Sequence, residues 1–262
     1  MGFFQTSGIL NRRGFFGGAV AFKPSDIAGL QLWLDATTGL FDATSGGNAV
    51  TTDGSAVARW EDQSGNARHF KQATSNNRPA LKTSIQNGKN IIRFDSDNDW
   101  MEMDSEFSGL TSASYYVILK IAVDPPAVEL KTAHPIHFLY GTTAGYSSSH
   151  YTWTDGNIYD NTMTTTRRTA GNPTPTLTNF HLYNVDASGS SWTNRLNKTQ
   201  LTTFTTNTFS QLRKEIGRSL WSSVSYYYYF NGDLAEVIVY NSILSSTNRA
   251  KVEDYLYSKW GI

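Results

Sequence analysis

The sequence predicts an all-β fold: a two-sheet antiparallel sandwich or jelly roll, with one short helix at the C-terminal end. Three observations predict it. Short segments of alternating apolar and polar residues recur along most of the chain, separated by turns rich in Gly, Asn, Asp and Ser. The 262 residues are enough for one large β domain. The 14 Tyr, 14 Phe and 7 Trp can fill its core, and with no cysteine the chain has no disulfide to substitute for one.

In chain order, Leu30, Leu32 and Leu34 alternate with Gln31, Trp33 and Asp35, a period of two that specifies a strand. Ala56–Asp62 is a second candidate and runs into the turn Gln63-Ser64-Gly65-Asn66. RHFKQ, KNIIRFD and DWMEMD follow at short intervals between residues 68 and 104. Ser112–Val123 is apolar on both faces and reads as a central strand covered on two sides. PIHFLYG, GNIYDN, NFHLYNVDA, KEIGRS, SYYYYFNG and LAEVIVYN continue the series to residue 241. Residues 141–178 read as ordered loops and edge strands, because aromatic residues punctuate their Thr, Ser, Gly and Asn. The chain then changes period. Ser245, Ser246 and Thr247 are N-cap candidates, Val252, Tyr255, Leu256 and Trp260 form an amphipathic stripe, and Gly261 stops the helix.

Net charge is +0 and charged residues make up 17% of the chain. This composition argues against nucleic-acid binding and against an anionic membrane, both of which need a basic excess. No apolar run approaches the roughly 20 residues of a membrane helix. A surface near zero net charge favours association, so a homo-oligomer is expected. Asn11–Phe22 superficially resembles a twin-arginine export signal, but glycines interrupt the apolar region such a signal needs, and we expect none.

Six segments carry a resemblance: LQLWLDATTGL, VARWEDQSGNARHFKQAT, NNRPAL, IIRFDSDNDWMEM, FNGDLAEVIVYNSILS and RAKVEDYLYSKWGI. In this order they resemble concanavalin A-like, laminin G-like jelly-roll domains, in the version found in phage virion proteins and bacterial surface proteins. The resemblance covers residues 26–262, is strongest at both ends and is weak from about 125 to 210. It implies a jelly-roll domain over 26–262, preceded by an arm over 1–25. It also implies sugar recognition, adhesion, or capsid and tail decoration rather than chemistry. Ser96 stands where such domains usually have a glycine after the aspartate, so the turn after Asp95 is expected to differ.

Asp233 and Glu236 are three apart, which on a regular strand places them on opposite faces, so they cannot serve one substrate as a hydrolase pair. Glu236 is expected to meet an arginine such as Arg93 or Arg218. Asp95, Asp97, Asn98 and Asp99 form an oxygen-rich cluster that could suit calcium or simply make a turn. The five histidines show no metal-binding spacing, and no other cofactor is expected. Tyr146, Tyr151 and Trp153, amid small polar residues, are candidates to stack on a sugar, or else to pack against the sandwich edge or another subunit. In the arm, Phe3, Phe4, Phe15 and Phe16 offer apolar anchors, and Arg12 and Arg13 offer bidentate contacts to carboxylates. The expected function is a non-enzymatic virion protein: a capsid decoration, head fibre or tail-associated module held to other virion proteins by its arm. The alternative is a carbohydrate-binding adhesin or receptor-binding module that contacts a host surface glycan. A glycoside hydrolase is the third reading.

Overall fold

The computed structural model describes residues 21–139, 149–221 and 226–262. The arm residues Phe3, Phe4, Arg12, Arg13, Phe15 and Phe16, and Tyr146, lie outside them.

The architecture is all-β with antiparallel pairing. The large sheet runs, in spatial order, Thr199–Phe204, Trp192–Leu196, His181–Ser188, Ser112–Ile121, Asn231–Tyr240, Lys89–Asp95 and Ala80–Gln86. An eighth strand, Leu30–Asp35, pairs with the second half of Asn231–Tyr240, whose first half pairs with Lys89–Asp95. The second sheet has five short strands in the order Glu215–Ile216, Met101–Met103, Phe70–Lys71, Arg59–Trp60 and Leu40–Phe41.

The large sheet is the middle layer. One face packs Leu32, Leu34, Leu234, Val237 and Val239 against Trp60, Phe70, Met101 and Met103 of the second sheet. Its other face carries Ile91, Tyr116, Ile118, Ala235 and Ile238, which the C-terminal helix Ser246–Trp260 covers with Val252, Leu256 and Trp260. This double cover is why Ser112–Ile121 is apolar at successive positions. The helix begins as its sequence requires: the Ser245 side chain accepts a hydrogen bond from the Asn248 amide. It ends on Gly261 at φ 66, the left-handed geometry that glycine adopts without strain. No helix among the described residues is long and apolar enough to cross a membrane.

Three expectations need correction. PIHFLYG is not a strand: His137–Leu139 forms a 3-10 turn. Phe138 and Leu139 are both buried, which a tight helical turn packed into the core accommodates. The second correction concerns Asp233 and Glu236. The pairing of Asn231–Tyr240 with Ser112–Ile121 shifts register between Leu234 and Glu236. That bulge turns Ala235 and Glu236 successively toward the helix, so Asp233 and Glu236 end on the same face. Thirdly, Glu236 meets Lys259, not an arginine, while Arg93 makes a two-pronged pair with Asp233 at 2.7 and 2.9 Å.

Candidate functional site

The outer face of the second sheet carries a groove of about 520 Å³. Alternation builds it. Met101 and Met103 point into the core, so Glu102 points outward, and likewise Phe70 points in and Lys71 out. Trp100, Gln72, Thr44, Thr74, Asp104 and Lys214 are among the other residues that line it.

Trp100 is pinned from several sides. Its amide donates to the Asn77 carbonyl at 3.1 Å, and its carbonyl accepts from Gln72 Nε2 at 2.9 Å. Gln72 is itself buried, and its Oε1 accepts from the Thr74 amide at 3.0 Å. The Arg218 guanidinium lies 3.2 Å from the indole centroid and 3.9 Å from the Tyr227 ring centroid. Arg218 is not part of the groove lining, so it backs the indole from behind while Trp100 borders the open space.

The turn leading to Trp100 is the one where the sequence resemblance led to an expected departure, at Ser96. The turn keeps the glycine geometry nonetheless: Ser96 sits at φ 72. The Asp95 side chain accepts from the amides of Asp97 and Asn98 at 2.9 and 3.3 Å, which holds the strained residue in place. The Asp95 amide donates to Asp99 Oδ2 at 3.1 Å. Asp99 is only 6% exposed, and burial, with Asp95 and Asp97 adding repulsion, pushes its carboxyl up to about 7 against that hydrogen bond. Asp95 and Asp99 therefore serve the turn. Among the described residues, no group of three or more histidine or acidic side chains is arranged to hold a metal ion.

Both lysines of the groove are matched by neighbouring carboxylates. Lys71 pairs with Asp104 at 2.7 Å and Lys214 with Glu106 at 3.2 Å. Glu102 lies opposite Lys71 on one side and Glu215 on the other, yet among the described residues no cation comes within ion-pair distance of it.

The loop aromatics behave differently from one another. Tyr151 is 1% exposed and belongs to the core. His181 Nδ1 donates to the Asn179 carbonyl at 2.8 Å, which leaves Nε2 to accept from the Tyr151 hydroxyl at 2.8 Å. Burial holds His181 down to about 4, so it stays neutral. Trp153 is half-buried and packs on His150 with ring centroids 4.1 Å apart. Tyr151 therefore cannot stack on a sugar, and Trp153 offers only part of its ring.

Beneath this region, Asp160 is fully buried. It accepts from the Thr162 amide at 2.6 Å and from the Tyr183 hydroxyl at 2.8 Å, and His134 Nε2 lies 3.5 Å away. Glu236 is also fully buried. It accepts from the Trp33 and Trp260 indoles at 2.6 and 2.7 Å, from the Tyr255 hydroxyl at 2.8 Å, and pairs with Lys259 at 2.8 Å. Both carboxylates are saturated by protein groups and closed to any substrate.

Trp100 and Glu102 were not singled out from the sequence, and Arg218 was expected beside Glu236 rather than against an indole. A signal was available: in DWMEMD, if Met101 and Met103 face inward, Trp100 and Glu102 must face out, and an outward tryptophan needs a reason.

No family model matches this chain, and no curated protein does. Solved structures do. The binding domain of Paraclostridial Mosquitocidal Protein 1 is 10% identical with a TM-score of 0.54, over 90% of this chain and 53% of that one. Trypanosoma rangeli sialidase is 10% identical with a TM-score of 0.51, over 89% of this chain and 33% of its own. An arabinofuranosidase complexed with arabinofuranosyl-alpha-1,2-xylobiose is 15% identical with a TM-score of 0.51, over 78% and 51%. At such identities the likeness is one of fold, a β-sandwich, and the chain spans a third to about half the length of these proteins.

Proposed function

We propose that this protein is a carbohydrate-binding β-sandwich module that takes a saccharide in the Trp100 groove. The carrying observation is the indole itself. Its main chain is fixed by two hydrogen bonds, an arginine stands against the ring, and it borders a groove rimmed by amide, hydroxyl, amine and carboxylate groups. A flat ring held rigid stacks on the C–H face of a sugar with little ordering cost, and the polar rim takes the hydroxyls. Two proteins that share the fold, the sialidase and the arabinofuranosidase, are named for action on sugars, which supports this reading.

Binding fits the groove better than hydrolysis. A general acid needs a carboxyl kept protonated by burial, whereas Glu102 and Asp104 stand open to solvent and Asp104 is tied to Lys71. Adhesion to a host surface glycan is the role this site would serve. The virion placement rests on the sequence resemblance alone, and the arm that would fasten it lies outside the described residues.

The test is a glycan array on the full chain, followed by titration of each hit against Trp100→Ala. Loss of about tenfold or more in affinity is expected. Undiminished binding would remove the groove as the site.

A further inference from the structure

The charge arrangement around Trp100 specifies the class of sugar, an inference that rests on the reading of the groove as a saccharide site. We infer that the groove selects uncharged saccharides and rejects those bearing a carboxylate, such as sialic and uronic acids. A site for an acidic sugar needs a cation or a cluster of amides left free for its carboxylate, most often an arginine fork. Here both lysines of the lining are already engaged, Lys71 by Asp104 at 2.7 Å and Lys214 by Glu106 at 3.2 Å. Of the arginines beside the groove, Arg218 is turned to the back of the indole, with its guanidinium 3.2 Å from the ring centroid, and Arg78 is spent on the main-chain carbonyls of Gln72, Ala73 and Asp42 at 3.0, 3.1 and 3.2 Å; neither lines the groove. The charge left over is negative. Glu102 projects from the middle of the floor between Lys71 and Glu215, and among the described residues no cation reaches it.

An incoming carboxylate would therefore meet Glu102 with no free partner to offset it. At a few ångströms in a solvated groove, such a like-charge contact weakens binding several-fold, and the effect shrinks with salt. A neutral sugar meets none of this. The carboxylates of Glu102 and Asp104 accept from its hydroxyls, and Gln72 and the two threonines keep the wall polar without charge.

The experiment titrates the full chain with matched pairs, for example lactose and sialyl-lactose, or a neutral xylo-oligosaccharide and its uronate-substituted form. Each pair is run at low and at physiological salt, and again with Trp100→Ala and with Glu102→Lys. The expected result is binding of the neutral member, about fivefold or more weaker binding of the acidic member, and a gap that narrows with salt. Glu102→Lys should close or reverse the gap, read as the ratio of acidic to neutral affinity within the same variant. Two results would overturn the inference and leave the groove reading intact: acidic sugars that bind as tightly as neutral ones in a Trp100-dependent way, or a gap unmoved by Glu102→Lys. Sugar binding that ignores Trp100→Ala, or no sugar binding at all, would overturn both.

Discussion

Among the described residues two carboxylates lie at zero exposure, one on each face of the large sheet, and they respond to burial in opposite ways. Glu236, under the helix, has its proton affinity raised: burial and the neighbouring Asp35 outweigh Lys259 and the Trp260 indole. Asp160, on the inner face, is held below the usual range: burial pushes it up, but His134 and the hydrogen bonds from Thr162 prevail. Donors alone do not decide the matter, since Glu236 has more of them. What differs is the company each keeps. Glu236 shares its lysine with a second carboxylate, as Lys259 also reaches Asp35 at 2.6 Å, whereas Asp160 has a histidine beside it and no rival acid among its contacts. A buried charge is tolerated according to the net field around it.

The largest test of this contrast is truncation. Glu236→Ala and Asp160→Ala should each cost about 3–5 kcal/mol in urea denaturation, because each leaves buried donors unpaired. The neutral isosteres separate the two sites. Glu236→Gln should cost clearly less than Asp160→Asn, since Glu236 is already drawn toward its neutral form. The reverse order would break the comparison.

A smaller effect is the pH dependence. His181, held down to about 4, and His150, held down to about 3 by burial and then Arg167, are groups with depressed folded values. The unfolded chain takes up protons near 6.5 that the folded chain refuses, so stability on the inner face is lost as pH falls below about 6.5. Asp160 adds to this loss at still lower pH. Glu236 and Asp99 have raised values, so their contribution is present in acid and is lost as pH rises, for Asp99 through about 7. Hydrogen exchange corrected for intrinsic rates should show residues 181–188 less protected at pH 4.5 than at 7.5. Residues 95–101 should show the opposite trend. A common direction for both segments would refute the assignment.

The smallest effect sharpens the picture of the groove. Ser96→Gly should raise stability by about 1 kcal/mol, because glycine adopts φ 72 without the steric strain a side chain meets. An unchanged or lowered melting midpoint would mean that the Asp95 hydrogen bonds already absorb the strain.

How much of this was legible follows from what a local pattern can encode. Leu30–Asp35, Lys89–Asp95, Ser112–Ile121 and the helix were readable because their periods are written in adjacent residues. The hairpin of Trp192–Leu196 and Thr199–Phe204 was missed although it alternates, because Asn194 takes a buried position where an apolar residue is expected. There its amide donates to the Tyr183 hydroxyl at 3.0 Å. Its two-residue turn, Asn197-Lys198, has both φ angles positive, the geometry that fits a hairpin's twist. The bulge at Glu236 was illegible for a related reason. Its four donors come from residues 33, 255, 259 and 260, and no local window contains them all. The groove occupies an intermediate case, since the outward direction of Trp100 could be read from DWMEMD, but the arginine behind it could not.

The layering of the molecule gives it a front and a back. Phe22 packs edge-on against Tyr255, and the Tyr240 hydroxyl donates to the Pro24 carbonyl, so the described chain both enters and leaves beside the helix. The Trp100 groove lies on the far side of both sheets, on the order of 20 Å away given the usual spacing of packed layers. A sensor chip or bead coupled ahead of residue 21 would therefore hold the protein by its back and leave the sugar-facing surface turned to the solution.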